Sequence, residues 1–262
     1  MQNRIRVRRD RPSALSWSIA LAVTMLAVYL VTLSAPAEKK AENVSSGMRV
    51  TQEINFESMT MHFADLGCFA DESQARIAAA GFVNRGAAGI VYSDAAGHHV
   101  LGAGYALEAD AKRIAERLGQ QENIETGVLT LTAPPLSLRV TAPEEDVNAI
   151  VEADRMLRMQ LNQLSTLALQ VDRGEIFAAS ARTLTKVAAA EVRTARKNLE
   201  KITGSADQPV CAAMISLLAS LEENLSDVGG DGAILSGRLR CCHADCALKL
   251  IRFLNAPAQS FP

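Results

Sequence analysis

The chain has 262 residues, of which 48% are hydrophobic and 21% charged, and this composition excludes a fully disordered protein. Lys and Arg total 27 against 29 for Asp and Glu, and the net charge of −2 does not suggest a nucleic-acid-binding protein. Aromatic residues make up only 4% of the chain, so any large core must be built from Ala, Leu, Val and Ile.

The N-terminal segment has the pattern of a membrane anchor. Five arginines lie within residues 1–13, and the apolar run at 14–34 contains no charge. Roughly 20 apolar residues are enough to span the hydrocarbon core, and the arginines place residues 1–13 in the cytoplasm. We therefore expect a retained single-pass helix at the cell membrane, then a polar linker over 35–58 and an extracytoplasmic remainder.

A cleaved signal peptide is the competing interpretation of the same segment. Ala35-Pro36-Ala37 imitates a cleavage site. However, the apolar core of a signal peptide spans only about 7–15 residues, which is shorter than this run. Both interpretations export the remainder of the chain.

An internal repeat with an offset of 36 residues follows the linker. Ala75 and Phe82 in the first copy match Ala111 and Leu118 in the second. The apolar positions of each copy follow the i, i+3, i+4, i+7 spacing of a helix that packs one face on a core. Short runs compatible with strands flank the two helices: Thr60–Leu66, Gly89–Ser93, His98–Gly102 and Ile124–Leu131.

These elements predict an α+β fold whose chain order is β-α-β-β-α-β, a split βαβ unit. We expect the two helices to cover one face of a four-stranded sheet and the other face to stay open. An unrelated α+β domain with a coincidental repeat is the alternative, because alanine-rich helices match by chance easily.

The sequence FADLGCFADESQARIAAAGF, followed by HHVLGAGYALEADAKRIAERL, resembles a SPOR (sporulation-related) domain from membrane-anchored proteins of spore-forming Gram-positive bacteria. Gly67-Cys68-Phe69 supplies the G-x-F motif that closes the first strand in that family. The resemblance covers 59–133 and implies a ferredoxin-like fold. It also implies binding of peptidoglycan glycan strands at division or sporulation septa, above all strands that have lost their stem peptides.

The family uses the open face of the sheet as its binding platform, and strand alternation selects the residues on that face. Ala64 and Val100 are small or apolar and should face the helices. An outward ring can stack on a sugar, and outward polar side chains can hydrogen-bond its hydroxyls. The glycan-binding candidates are Phe63, Asp65, Tyr92, His99 and Leu101.

Residues 141–256 have the spacing of a helical domain, either a bundle or helical hairpins. The first helix should begin near Pro143 and end at Asp172-Arg173-Gly174. The second should run to about Ile202, the third should open at Pro209, and the fourth should follow the glycine-rich joint at 229–232. This region is also the expected surface for a protein partner.

A cysteine cluster lies in the last predicted helix. A disulfide from Cys211 to Cys241, Cys242 or Cys246, or four plain buried thiols, fits an exported protein. A zinc site ranks lower, because structural zinc sites use four ligands that usually come as two separated pairs. We therefore predict no metal site, and we expect Cys68 to stay free.

The sequence contains no nucleophile elbow, P-loop or H-E-x-x-H motif. We expect a membrane-tethered, non-catalytic cell-wall binding protein without a cofactor, whose partners are the membrane and peptidoglycan glycan strands. One alternative is a structural or adaptor protein whose helical region binds a protein and whose SPOR-like domain no longer binds glycan. An enzyme or redox protein that uses the cysteine-rich end is another.

Overall fold

The computed structural model describes residues 49–202 and 208–256, which form six strands and six helices. The tail predicted at 1–13 and the membrane helix predicted at 14–34 lie outside these residues. Within the described ranges, no helix is both long enough and apolar enough to cross a membrane.

The bounds of the elements agree with most of the sequence predictions. The strands are β1 Arg49–Phe56, β2 Met59–Phe69, β3 Ile90–Ser93, β4 His98–Tyr105, β5 Gly127–Ala133 and β6 Leu136–Pro143. The helices are α1 Glu72–Val83, α2 Glu108–Glu122, α3 Glu144–Asp172, α4 Ala178–Glu200, α5 Pro209–Ser226 and α6 Gly232–Leu254.

Four strands form an antiparallel sheet in the spatial order β3-β4-β2-β5. Helix α1 connects β2 to β3 and helix α2 connects β4 to β5, so the predicted order β-α-β-β-α-β is present. Asp71 begins α1, because its carboxylate accepts a hydrogen bond from the Gln74 backbone N–H at 3.0 Å.

Strand alternation places the apolar residues on the predicted sides of the sheet. Leu66 and Val100 pack with Ala75, Ala79 and Phe82 in a small core between the sheet and α1. Helix α2 buries Ala111 and Ala115, the matching positions of the second repeat. The helical stripes predicted from the repeat are therefore confirmed.

Only one strand of a second, two-stranded sheet was predicted from the sequence. Strand β6 contains the short strand expected near Leu136, but its partner β1 lies inside the predicted linker. The two strands pair antiparallel, from Arg49 opposite Pro143 to Phe56 opposite Leu136. Ile54 and Phe56 are buried, so the last part of the linker at 35–58 is a strand with one apolar side.

The helical region follows the predicted bounds closely. Helix α3 ends at Asp172, α5 begins at Pro209 and α6 begins at Gly232, after the glycine-rich joint. Gly230 has a φ of 86°, a left-handed conformation that glycine adopts without strain. Helix α4 packs against α5, and α3 packs against both α4 and α6.

The second face of the four-stranded sheet is covered, so the prediction of an open face is wrong. Helix α6 contacts all four strands of this sheet. Phe63 and Leu101 are 0% exposed and belong to the same core as α6. Most of the circumference of α6 is buried, including the adjacent residues Leu250 and Ile251, because the helix lies between the sheet and the other helices.

Truncating Leu101 to Ala should destabilise the protein by about 2–5 kcal/mol, because the lost side chain leaves a cavity under α6. Leu107→Ala is the matched control, since Leu107 is 64% exposed and its truncation should cost little. Urea denaturation followed by circular dichroism measures both effects. Equal stabilities of the two variants would contradict the burial of the sheet face.

Candidate functional site

The predicted glycan-binding residues do share one face of the sheet, but that face is not a free platform. Phe63 and Leu101 lie wholly beneath α6, so neither side chain can stack on a sugar while the helix is in place. Tyr92 lies opposite His99 in the β3–β4 pair and packs at the edge of the same core. The prediction that Phe63 and Leu101 contact glycan is therefore wrong, whereas the role of the half-buried Tyr92 stays a prediction.

Asp65 and His99 come together at the end of this face. The His99 Nδ1–H donates to Asp65 Oδ2 at 2.7 Å, and His99 Nε2 lies 3.3 Å from Asp94 Oδ1. Asp94 is in the turn between β3 and β4, where the Ala96 and Gly97 N–H groups also donate to its Oδ1. The imidazole therefore lies between two carboxylates and is only 8% exposed.

Burial by itself would lower the pKa of His99. The hydrogen bond and negative charge of Asp65, together with those of Asp94, have a larger effect, so the pKa of His99 is raised above 6.5. The pKa of Asp94 is lowered mainly by the Ala96 N–H, an effect that burial opposes and the His99 charge reinforces. The two carboxylates thus shift the titration of His99 towards higher pH.

Asp65→Asn should lower the pKa of His99, because the amide keeps the shape of the side chain but removes its charge. The raised pKa contributes stability that is fully present below pH 6.5 and is lost as the pH rises through the raised value. An NMR titration of the His99 ring measures its pKa in the wild type and in Asp65→Asn. A midpoint that is the same in the variant would contradict the proposed electrostatic cause.

The cysteine cluster is a set of free thiols rather than a disulfide. Cys211, Cys242 and Cys246 are free and buried, and Cys241 is free and half-buried, so the predicted bridge is absent. Burial raises the pKa of Cys242 and of Cys246 to about 12, which keeps both thiols protonated. No group of His, Cys, Asp and Glu within the described ranges has the geometry of a metal site.

His243 lies in the same cluster, is 7% exposed, and has its pKa lowered to about 4 by burial. A buried neutral histidine is charged first in the unfolded chain, so stability falls as the pH drops from 6.5 towards 4. The cluster therefore adds an acid-sensitive group to the core.

His243→Leu should remove much of the acid sensitivity. The wild type should lose about 3 kcal/mol through this residue between pH 6.5 and 4, because one pKa unit corresponds to about 1.4 kcal/mol. Urea denaturation at both pH values measures the difference. A variant as acid-sensitive as the wild type would show that His243 is already charged in the folded protein.

A cavity of about 870 Å³ lies on the opposite side of the sheet, bordered by α2 and by the ends of α3 and α6. Small residues, Ala64, Gly102 and Ala103, form part of its wall on the sheet. A volume of this order matches that of binding sites for small molecules. The charged residues that line the cavity are Arg85, Arg113, Arg117, Arg173, Arg240, Asp110, Glu122 and Asp172.

Most of these charges are paired with each other. Arg113 pairs with Asp110 at 2.6 Å, while Arg85 contacts Glu122 and Arg240 contacts Asp172. Arg173 contacts Glu175, which does not line the cavity. With five arginines and three acidic residues, the lining carries a net charge of +2, opposite in sign to the whole chain.

The polar groups of the cavity that have no hydrogen-bond or ion-pair partner within the described part of the chain include Arg117 and the Tyr105 hydroxyl. Arg117 forms no ion pair there, and the Tyr105 hydroxyl forms no hydrogen bond. Burial raises the pKa of Tyr105, whereas the charges of Arg240 and Arg117 lower it, so both arginines act on the phenol. A guanidinium and a hydroxyl that line one concave site are suited to an anionic ligand.

This cavity was not predicted from the sequence, although one signal was present. Arg113 and Arg117 are four residues apart on the exposed side of α2, and Tyr105 ends the strand before it. Only the fold brings Arg240, more than 120 residues later, to the same place. No protein-family model, no curated protein and no solved structure matches the chain.

Proposed function

We propose that this protein is a non-catalytic binding protein of the bacterial cell envelope, and that it recognises peptidoglycan glycan strands whose stem peptides have been removed. In this proposal the SPOR-like unit spans 59–133, and an N-terminal membrane anchor holds the chain on the extracytoplasmic side. The binding site is the arginine-lined cavity beside α2 rather than the sheet face beneath α6.

The observation that carries this proposal is the unpaired Arg117 beside the unpaired Tyr105 hydroxyl in a cavity of about 870 Å³. The other cavity arginines are held by carboxylates or contact Glu175, so Arg117 is the cation available to a ligand within the described residues. An arginine pairs with a carboxylate through two parallel hydrogen bonds, which favours a carboxylate over a neutral hydroxyl.

Removal of stem peptides creates such a carboxylate. Hydrolysis of the amide bond between the sugar and its peptide leaves an acid on the sugar, whereas an intact strand has an amide at that position. A site built around Arg117 would therefore prefer the processed strand. The remaining volume of the cavity accommodates the sugar ring to which the acid is attached.

The adaptor hypothesis has one observation in its favour. Helix α6 already occupies the face on which a SPOR domain would bind glycan, so the sheet acts as a scaffold for the helical region. In that case the protein would bind a partner protein and show no preference between processed and intact wall.

Sedimentation with purified cell walls separates the two functions. The fragment 47–262, which forms one compact unit, should be retained on amidase-treated wall and much less on untreated wall. Arg117→Gln and Tyr105→Phe should each weaken retention on treated wall, Arg117→Gln by about tenfold, because a hydrogen bond to a charged group contributes about 1.5–3 kcal/mol.

Lys186→Gln is the matched control, because Lys186 is an exposed cation on α4 that does not line the cavity. This variant should bind as the wild type does. Equal retention of the wild type on treated and untreated wall would reject the carboxylate site and favour the adaptor function.

A further inference from the structure

We propose that Cys68 is a reactive thiol that forms a mixed disulfide with a low-molecular-weight disulfide, with His99 as its proton acceptor and Asp65 as a positioning residue. This site lies at the end of β2 and is separate from the arginine-lined cavity. The reaction consumes one disulfide per protein and requires no turnover.

A bulge in β2 brings the cysteine to the histidine. The register between β2 and β4 shifts between Asp65 and Cys68, so that both Asp65 and Cys68 are on the side of His99. Gly67 lies in the bulge with a φ of 139°, a conformation that other residues rarely adopt. Its N–H donates to Asp65 Oδ1 at 3.2 Å, which helps fix the carboxylate that orients His99.

The three side chains have the geometry of an activated nucleophile. The Cys68 Sγ lies 3.7 Å from His99 Nε2, and His99 Nδ1 is occupied by its hydrogen bond to Asp65 at 2.7 Å. In the neutral imidazole, a proton on Nδ1 leaves the lone pair on Nε2, which lies 3.7 Å from the Cys68 sulfur and 3.3 Å from Asp94 Oδ1. The base thus contacts the nucleophile through one ring nitrogen and the orienting carboxylate through the other.

Access distinguishes Cys68 from the other thiols of the chain. Its side chain is exposed, whereas Cys211, Cys242 and Cys246 are buried and Cys241 is half-buried. A cavity of about 650 Å³ is lined in part by Cys68 and Phe69. Gly97 packs closely against the Cys68 sulfur. Any larger residue at position 97 would place its Cβ atom only 2.9 Å from Sγ, which is too close.

The chemistry is a thiol–disulfide exchange. The Cys68 proton moves to His99 Nε2, and the thiolate attacks one sulfur of a disulfide R–S–S–R. A new sulfur–sulfur bond forms as the old one breaks, and the leaving thiolate takes the bonding pair and then the proton from His99. The products are the mixed disulfide of Cys68 and one R–SH, so Cys68 is oxidised and the leaving sulfur is reduced.

The charges around His99 stabilise the product of the proton transfer. His99 faces Asp65 from β2, Asp94 from the β3–β4 turn, and the Cys68 sulfur itself. Both carboxylates stabilise the imidazolium formed by proton transfer. The imidazolium in turn offers a positive charge to the adjacent sulfur as the thiol loses its proton.

Dipyridyl disulfide, an uncharged probe whose released thione absorbs light, tests the site in the full-length protein. One thiol should react rapidly, and Cys68→Ser should abolish that fast phase while Cys241→Ser should retain it. Mass spectrometry after incubation with oxidised glutathione should find the mixed disulfide on Cys68. A native protein whose fast-reacting thiol is elsewhere would overturn the proposal.

The pH–rate profile tests the roles of the neighbours. At pH 6.5 the fast phase should be about tenfold slower in His99→Gln than in the wild type, and the difference should shrink as the pH rises, because hydroxide then replaces His99 as the proton acceptor. Asp65→Asn should shift the profile in the same direction by a smaller factor, and it serves as the test if His99→Gln does not fold. Profiles that coincide with that of the wild type would overturn the assignment of His99 and Asp65.

Discussion

The packing of α6 across the second face of the four-stranded sheet is the contact on which the rest of the structure depends. It buries Phe63 and Leu101 completely and joins the sheet to the helical region in one core. Phe253 near the end of α6 meets Phe56 of β1 edge to face at 5.4 Å, so the two-stranded sheet joins the same core. Any function of the sheet must therefore use its edges, its ends or the side that bears α1 and α2.

Local features of the sequence were sufficient to predict most elements, because their signals lie within a few residues. Asp71 marks the start of α1, and the glycine-rich joint at 229–232 marks the start of α6. The closed sheet face was not predictable in this way, since alternation tells which residues share a side but not what covers that side. Strand β1 was missed because its partner lies about 80 residues later and only Ile54 and Phe56 are buried.

The candidate sites also divide into features with a local sequence signal and features that depend on contacts between distant segments. Alternation correctly put Asp65 and His99 on one side of the sheet, but Cys68 is on that side only because the bulge at Gly67 adds a residue to β2. Simple alternation from Asp65 would have turned Cys68 to the opposite side. The arginine-lined cavity depends on Arg117 and Arg240, which belong to distant helices, so no motif of contiguous residues could reveal it.

The pairing of β1 with β6 has a mechanical consequence. Arg49 lies opposite Pro143, and α3 begins at Glu144, so the chain enters and leaves this ribbon at the same end. A pulling force applied between residue 49 and α3 would load the hydrogen bonds of the ribbon one pair after another instead of all together. The ribbon would then unzip at low force and release up to eight residues of slack, while the four-stranded sheet and its helices stayed folded.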